Sequence, residues 1–126
     1  MDCPDKPGND GFLMADDRLP TKLWVDAHLH QLARAGIPYY IHRTGNYASG
    51  IVLLKINGLG GNGCKLLQQQ RNLDGEMGWM ALFKGEAVEE NKADDYFRRA
   101  ADRDPDLWVI EIEDRAMQNP FEGKVF

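Results

Sequence analysis

The spacing of apolar residues changes period three times between residues 20 and 113, and that succession narrows the folds open to the chain. Placing successive residues 100° apart puts Trp24, Val25, His28, Leu29, Leu32 and Ala35 on one arc and Lys22, Asp26, His30 and Arg34 on the other, as in an amphipathic helix. Pro20 or Thr21 opens this helix, Gly36 closes it with a left-handed cap, and Pro38 blocks continuation, so the spacing predicts a helix over Thr21 to Ala35. Short β-rich runs follow at Tyr39 to Arg43, Ile51 to Asn57, Cys64 to Gln70 and Glu76 to Phe83. Turn residues separate them, among them an Asp74-Gly75 step suited to a tight hairpin. Val88 to Arg103 returns to helical spacing, with Ala93, Tyr96, Phe97, Ala100 and Ala101 as its stripe. Acids crowd its start and arginines its end, in keeping with the helix dipole. Leu107 to Glu113 alternates again, with Trp108, Ile110 and Ile112 on the inner side.

The order α-β-β-β-β-α-β predicts an α+β fold: a mainly antiparallel five-stranded sheet with two helices packed on one face and the other face left wet. A chain of 126 residues suits one such domain. Residues 1 to 18 mix turn formers with scattered charge and read as a disordered lead, within which Met14 is a candidate natural start. Residues 19–117 form the domain, and 118–126 a C-terminal tail. The tail carries Phe121 and Phe126, which either mark a contact surface or fold back onto the core.

Charge and cysteine usage bear on partners and compartment. A formal charge of −5 disfavours attachment to nucleic acid or anionic lipid. Two cysteines, Cys3 and Cys64, make no disulfide framework, so a reducing, cytoplasmic setting is expected. No apolar run is long enough to span a bilayer, and the start lacks the pattern of a signal peptide.

Leu23-Trp24-Val25, Ala35-Gly36-Ile37-Pro38, Val52-Leu53-Leu54-Lys55, Asp74-Gly75-Glu76 with Trp79-Met80, and Asp104 to Arg115 with Gly123-Lys124 together resemble a small proteobacterial family of unknown function. The resemblance covers about residues 20 to 126 and implies no particular activity, ligand or catalytic residue. The first 18 residues and the glycine-rich Asn57 to Gly63 stretch depart from its pattern.

Four features invite a chemical reading. Asp26-Ala27-His28-Leu29-His30 has the Asp-x-His-x-His form of a metal-binding strand, but on a helix the two imidazoles stand about 200° apart and cannot share an ion. His28 then belongs to the packed face and His30 to solvent. Gly58, Gly60 and Gly63 spell G-x-G-x-x-G, which cradles a phosphate only where the last glycine opens a helix. The short Cys64 to Arg71 run fits a mobile hairpin loop better than a nucleotide site. Glu111 and Glu113 share a face of the last strand and, with Asp74 or Glu76 and with Lys55 nearby, are candidate ligands for a divalent cation acting on a phosphoester; the plainer reading is a solvated face. Cys64 has no histidine close in sequence, which leaves His42 as a partner only through space. The sequence therefore favours a non-catalytic interaction or regulatory module without a cofactor or resident metal, meeting a protein partner or a second copy through its open sheet face or an edge strand. A metal-dependent phosphoesterase and nucleotide binding at the glycine loop are the alternatives.

Overall fold

The computed structural model describes residues 19–126; the expected disordered lead over 1–18 lies outside the described residues. Helix α1 spans Thr21–Ala35. Pro20 offers no side-chain cap, so the first-turn amides look elsewhere: Thr21 and Lys22 donate to the carbonyls of Ala48 and Tyr47 at 3.3 and 3.0 Å, and Thr21 Oγ1 donates to Gly50 O. The loop before β2 thus caps α1. At the other end Gly36 sits at φ 78°, and the amide of Ile37 closes back onto Leu32 O at 2.9 Å.

Strands β1 (Tyr39–Arg43), β2 (Val52–Asn57), β3 (Cys64–Arg71), β4 (Met77–Ala81) and β5 (Trp108–Glu113) form one sheet in the order β1-β5-β2-β3-β4. Every pairing is antiparallel except β2 with β5, which run parallel from Val52 opposite Trp108 to Asn57 opposite Glu113. The crossover between them contains β3, β4, a 3-10 turn at Phe83–Gly85 and helix α2 (Glu90–Arg103). Strand β4 is shorter than the Glu76 to Phe83 run because Phe83 and Lys84 take left-handed conformations, at φ 52° and 57°, and turn the chain away. The loop joining β1 to β2 presses against the start of β5. A Cβ on Gly45 would stand 2.2 Å from Asp106 O, so no larger residue fits there.

The fold class and element order are as expected, but the helices do not share a face. Val25, Leu29 and Leu32 of α1 cluster with Val52, Leu54, Ile56, Trp108, Ile110 and Ile112. Ala93 and Ala100 of α2 lie among residues that point the other way from the same strands and their neighbours: Leu53, Val109 and Leu107 in one cluster, Cys64 and Leu66 in another. The physical reason lies in β2 and β5, which occupy the middle of the sheet and are buried along nearly their whole length. Leu53 and Val109 need cover as much as Leu54 and Ile110 do, and one helix layer cannot supply both sides. The face expected to be wet is the one that α2 covers.

The C-terminal segment folds back onto β4. Phe121 is buried in the α1-side core, Trp79 N donates to Lys124 O and Phe126 N to Trp79 O, both at 2.7 Å, and Val125 bridges Trp79. Among the described residues no helix is long and apolar enough to cross a membrane.

Candidate functional site

On the α2 face, side chains from β1, β5, β2 and α2 converge on one buried ammonium. Strand alternation sends Leu53, Lys55 and Asn57 of β2 toward α2, and the parallel register sets Lys55 beside Glu111 of β5. Lys55 is 1% exposed, and its Nζ meets Asp94 Oδ1 at 2.6 Å, Glu90 Oε2 at 2.9 Å and Glu111 Oε1 at 3.4 Å. Three donors of one ammonium thus face three carboxylates. Glu111 is 6% exposed; its Oε1 also pairs with His42 Nε2 at 2.6 Å, and its Oε2 accepts from Asn57 at 3.1 Å. Phe97 of α2 closes the group, stacking on the His42 ring and lying under the Lys55 ammonium.

The charged forms are held firmly. Burial pulls the Lys55 ammonium toward neutrality, but hydrogen bonds to Asp94 and Glu90 and the charge of Glu111 outweigh it and hold Lys55 above its ordinary range. Burial likewise raises Glu111, yet bonds from His42 and Asn57 and the charge of Lys55 bring it below the usual carboxylate value. Cys64, under the same helix, is pushed up to about 11, chiefly by burial, and stays a thiol at neutral pH. Near pH 7 neither the lysine, the thiol nor the buried carboxylate is poised to exchange a proton. The network fastens α2 to the sheet.

That account fixes how stability responds to pH. The pKa of Glu111 is lower folded than unfolded, so its contribution is present above about pH 4.3 and is lost as pH falls through the folded value. Lys55 is raised, so its contribution is present below about pH 10.4 and is lost only at stronger alkali. Urea unfolding at a series of pH values should show the acid decline, and Glu111→Gln should flatten it. An unchanged acid limb in that variant would remove Glu111 as its source.

The residues singled out from sequence are only partly brought together. Glu111 and Glu113 share the α2 face, but Glu111 is buried and committed rather than solvated, and Glu113 accepts from Tyr40 Oη at 3.3 Å. Asp74 and Glu76 belong to the β3–β4 hairpin beyond Arg71. Lys55, beside Glu111, pairs with Leu66 near the other end of β3. Among the described residues no group of three or more His, Cys, Asp or Glu is arranged to hold a metal. Gly58, Gly60 and Gly63 form the β2–β3 turn, closed by Gly58 N to Gly63 O at 2.9 Å, and lead into a strand rather than a helix. The hollow beside that turn is walled by Glu89 and Glu90, which oppose a phosphate. His28 bonds Trp24 O at 2.8 Å, lies tilted against the Trp24 ring and stacks on Phe121, while His30 is exposed. His42 meets Glu111, not Cys64. Asn57, Glu90 and Asp94 were missed as partners. The signal was a single lysine inside Val52-Leu53-Leu54-Lys55-Ile56, because a buried ammonium requires acids and the first turns of α2 carry them.

The two edges of the sheet differ. The C-terminal segment covers β4, whereas among the described residues nothing pairs with the outer side of β1. Glu113 N donates to Pro38 O, so alternation turns the backbone groups of Tyr39 and Ile41 away from β5. Tyr40 and Ile41 are 50% and 44% exposed.

A family model described as a protein of unknown function, DUF1491, matches residues 19–122. The crystal structure of a DUF1491 family protein from Caulobacter crescentus CB15 is 32% identical, with a TM-score of 0.78 over 86% of this chain and 100% of the other. The NMR structure of a DUF1491 family protein from the same organism is also 32% identical, with a TM-score of 0.75 over 86% and 96% of the two chains. Protein Atu0922 from A. tumefaciens, 23% identical with a TM-score of 0.62 over 76% and 86% of the two chains, shares the fold. No curated protein matches the chain.

Proposed function

The chain belongs to the DUF1491 family, and from that premise we propose that it is a non-catalytic interaction module which takes an extended segment of another protein along the free edge of β1. The observation that carries this reading is the asymmetry of the edges: β4 is covered by the chain's own C-terminal segment, while β1 offers outward backbone groups flanked by exposed Tyr40 and Ile41. An unpaired edge is a template for a further strand, with backbone bonds supplying affinity and alternate side chains supplying selectivity. The locked state of Lys55, Glu111 and Cys64 supports a binding role over a chemical one. The metal-phosphoesterase and nucleotide alternatives draw no comparable support, since Asp74 and Glu76 sit apart from Glu111 and the glycine loop faces carboxylates.

Ile41→Pro tests the edge selectively. It deletes the outward amide and leaves the bonds between Tyr40 and Glu111, on the β5 side, in place. Peptides selected from a displayed random library by the wild-type protein are expected to shift the Tyr39 and Ile41 amide resonances. They should bind the variant at least about tenfold more weakly, as expected on losing a backbone bond and gaining a clash. Selected peptides that shift other surfaces, or that bind both proteins equally, would overturn the reading. A dimer that Ile41→Pro dissolves would assign the edge to a second copy.

A further inference from the structure

On the opposite side of the sheet, where α1 begins, the described residues enclose a half-open cavity of about 800 Å³. Its size is in the range of sites for small organic ligands. Trp24, Ile51 and Met77 give it an apolar wall, and Gln69, Arg71 and Glu122 supply the polar groups. Gln69 is the informative residue, because it is only 6% exposed and a buried amide must bond at both ends. Its Oε1 accepts from Val52 N at 2.8 Å, which fixes the side chain and, among the described residues, leaves Nε2 as a donor for whatever enters. Arg71 spends one nitrogen on Gly75 O, at 2.7 Å, and pairs with no acid among the described residues. Glu122 has only His28, at 3.8 Å, and its side chain is 80% exposed.

The lining selects among ligands. An apolar guest would bury the Gln69 donor without an acceptor, at a cost. A simple anion would satisfy Arg71 and be opposed by Glu122. A single amino acid satisfies both charges but would leave much of the volume to water. A guest with a carboxylate, an ammonium, a peptide carbonyl for Gln69 and apolar side chains for Trp24 and Met77 meets every group at once. We infer that this cavity binds a short apolar peptide with free termini, its carboxylate on Arg71, its ammonium on Glu122 and a peptide carbonyl on Gln69. The site is independent of the β1 edge and lies across the sheet from the Lys55 network.

Tri-leucine, its C-terminal amide and its N-acetyl form, titrated into the full chain and followed by the Trp24 indole and Gln69 side-chain resonances, test the assignment. Tri-leucine is expected to give saturable shifts at both groups. Amidation should weaken binding to wild type at least about tenfold, the cost of one charged hydrogen bond, but should make little difference to Arg71→Gln. Acetylation should weaken wild type and make little difference to Glu122→Gln. Arg71 and Glu122 are exposed at the rim, so both variants are expected to melt with wild type, and Ile41→Pro should bind tri-leucine unchanged. Absence of saturable shifts at Trp24 and Gln69, or equal binding of all three peptides, would overturn the inference.

Discussion

Lys55→Ala is expected to cost about 3 to 5 kcal/mol of folding stability, the usual penalty for breaking a buried ion pair by removing one partner. The loss is not mainly of contacts. It leaves Glu111 inside the protein without its ammonium and leaves Glu90 and Asp94 facing Glu111 with nothing between them. Against a total of about 5 to 15 kcal/mol for a domain of ordinary stability, that is a large share of what keeps the chain folded. Urea unfolding of the single and double variants apportions the effect. Lys55→Met combined with Glu111→Gln removes both charges while keeping an acceptor oxygen for one of His42 and Asn57, and should recover a large part of the loss, with a coupling of about 0.5 to 3 kcal/mol. A cost below about 1 kcal/mol for Lys55→Ala would mean that the network behaves like an exposed pair.

The second large effect belongs to Trp79, which is fully buried on the α1 face. Its ring packs on Trp24 and Phe121, and its Nε1 donates to Glu122 O at 3.0 Å. Trp79→Ala should cost about 3 to 5 kcal/mol through the cavity it leaves. It should also loosen the C-terminal segment, because the ring packs on Phe121 and bonds Glu122 of that segment. Hydrogen exchange at the Phe126 amide, which bonds Trp79 O at 2.7 Å, separates this from a general loss of stability. Exchange there should accelerate more than at Leu54 or Ile110. Uniform acceleration across the chain would show that the segment is not held by the ring.

What could be read from sequence followed from local periodicity. Helix α1 and strand β1 fall where spacing and caps place them, and β2, β3 and β5 differ from expectation by a single residue at one end. Each depends on neighbours a few positions away, which periodicity reports. The layering was misjudged because it depends on which strands are central. Leu107-Trp108-Val109-Ile110 is apolar at both parities, the mark of a strand covered on two sides, but the acids at 111 and 113 made it resemble a half-exposed one. The site was hidden for the same reason. His42, Lys55, Glu90 and Glu111 meet only after β5 is inserted between β1 and β2, and no spacing along the chain encodes that meeting.

That insertion also sets an order of events during synthesis. Strand β1 leaves the ribosome before the other four, yet its one partner among the described strands is β5, which leaves after them all. Until Glu113 has emerged, the nascent chain can build the β2–β3–β4 meander but has nothing to seat β1 against, and Tyr40 and Ile41 stay open to chaperones and to stray strands. A protein whose inner strand is made after the two strands it joins spends part of its synthesis with an edge it has not yet used.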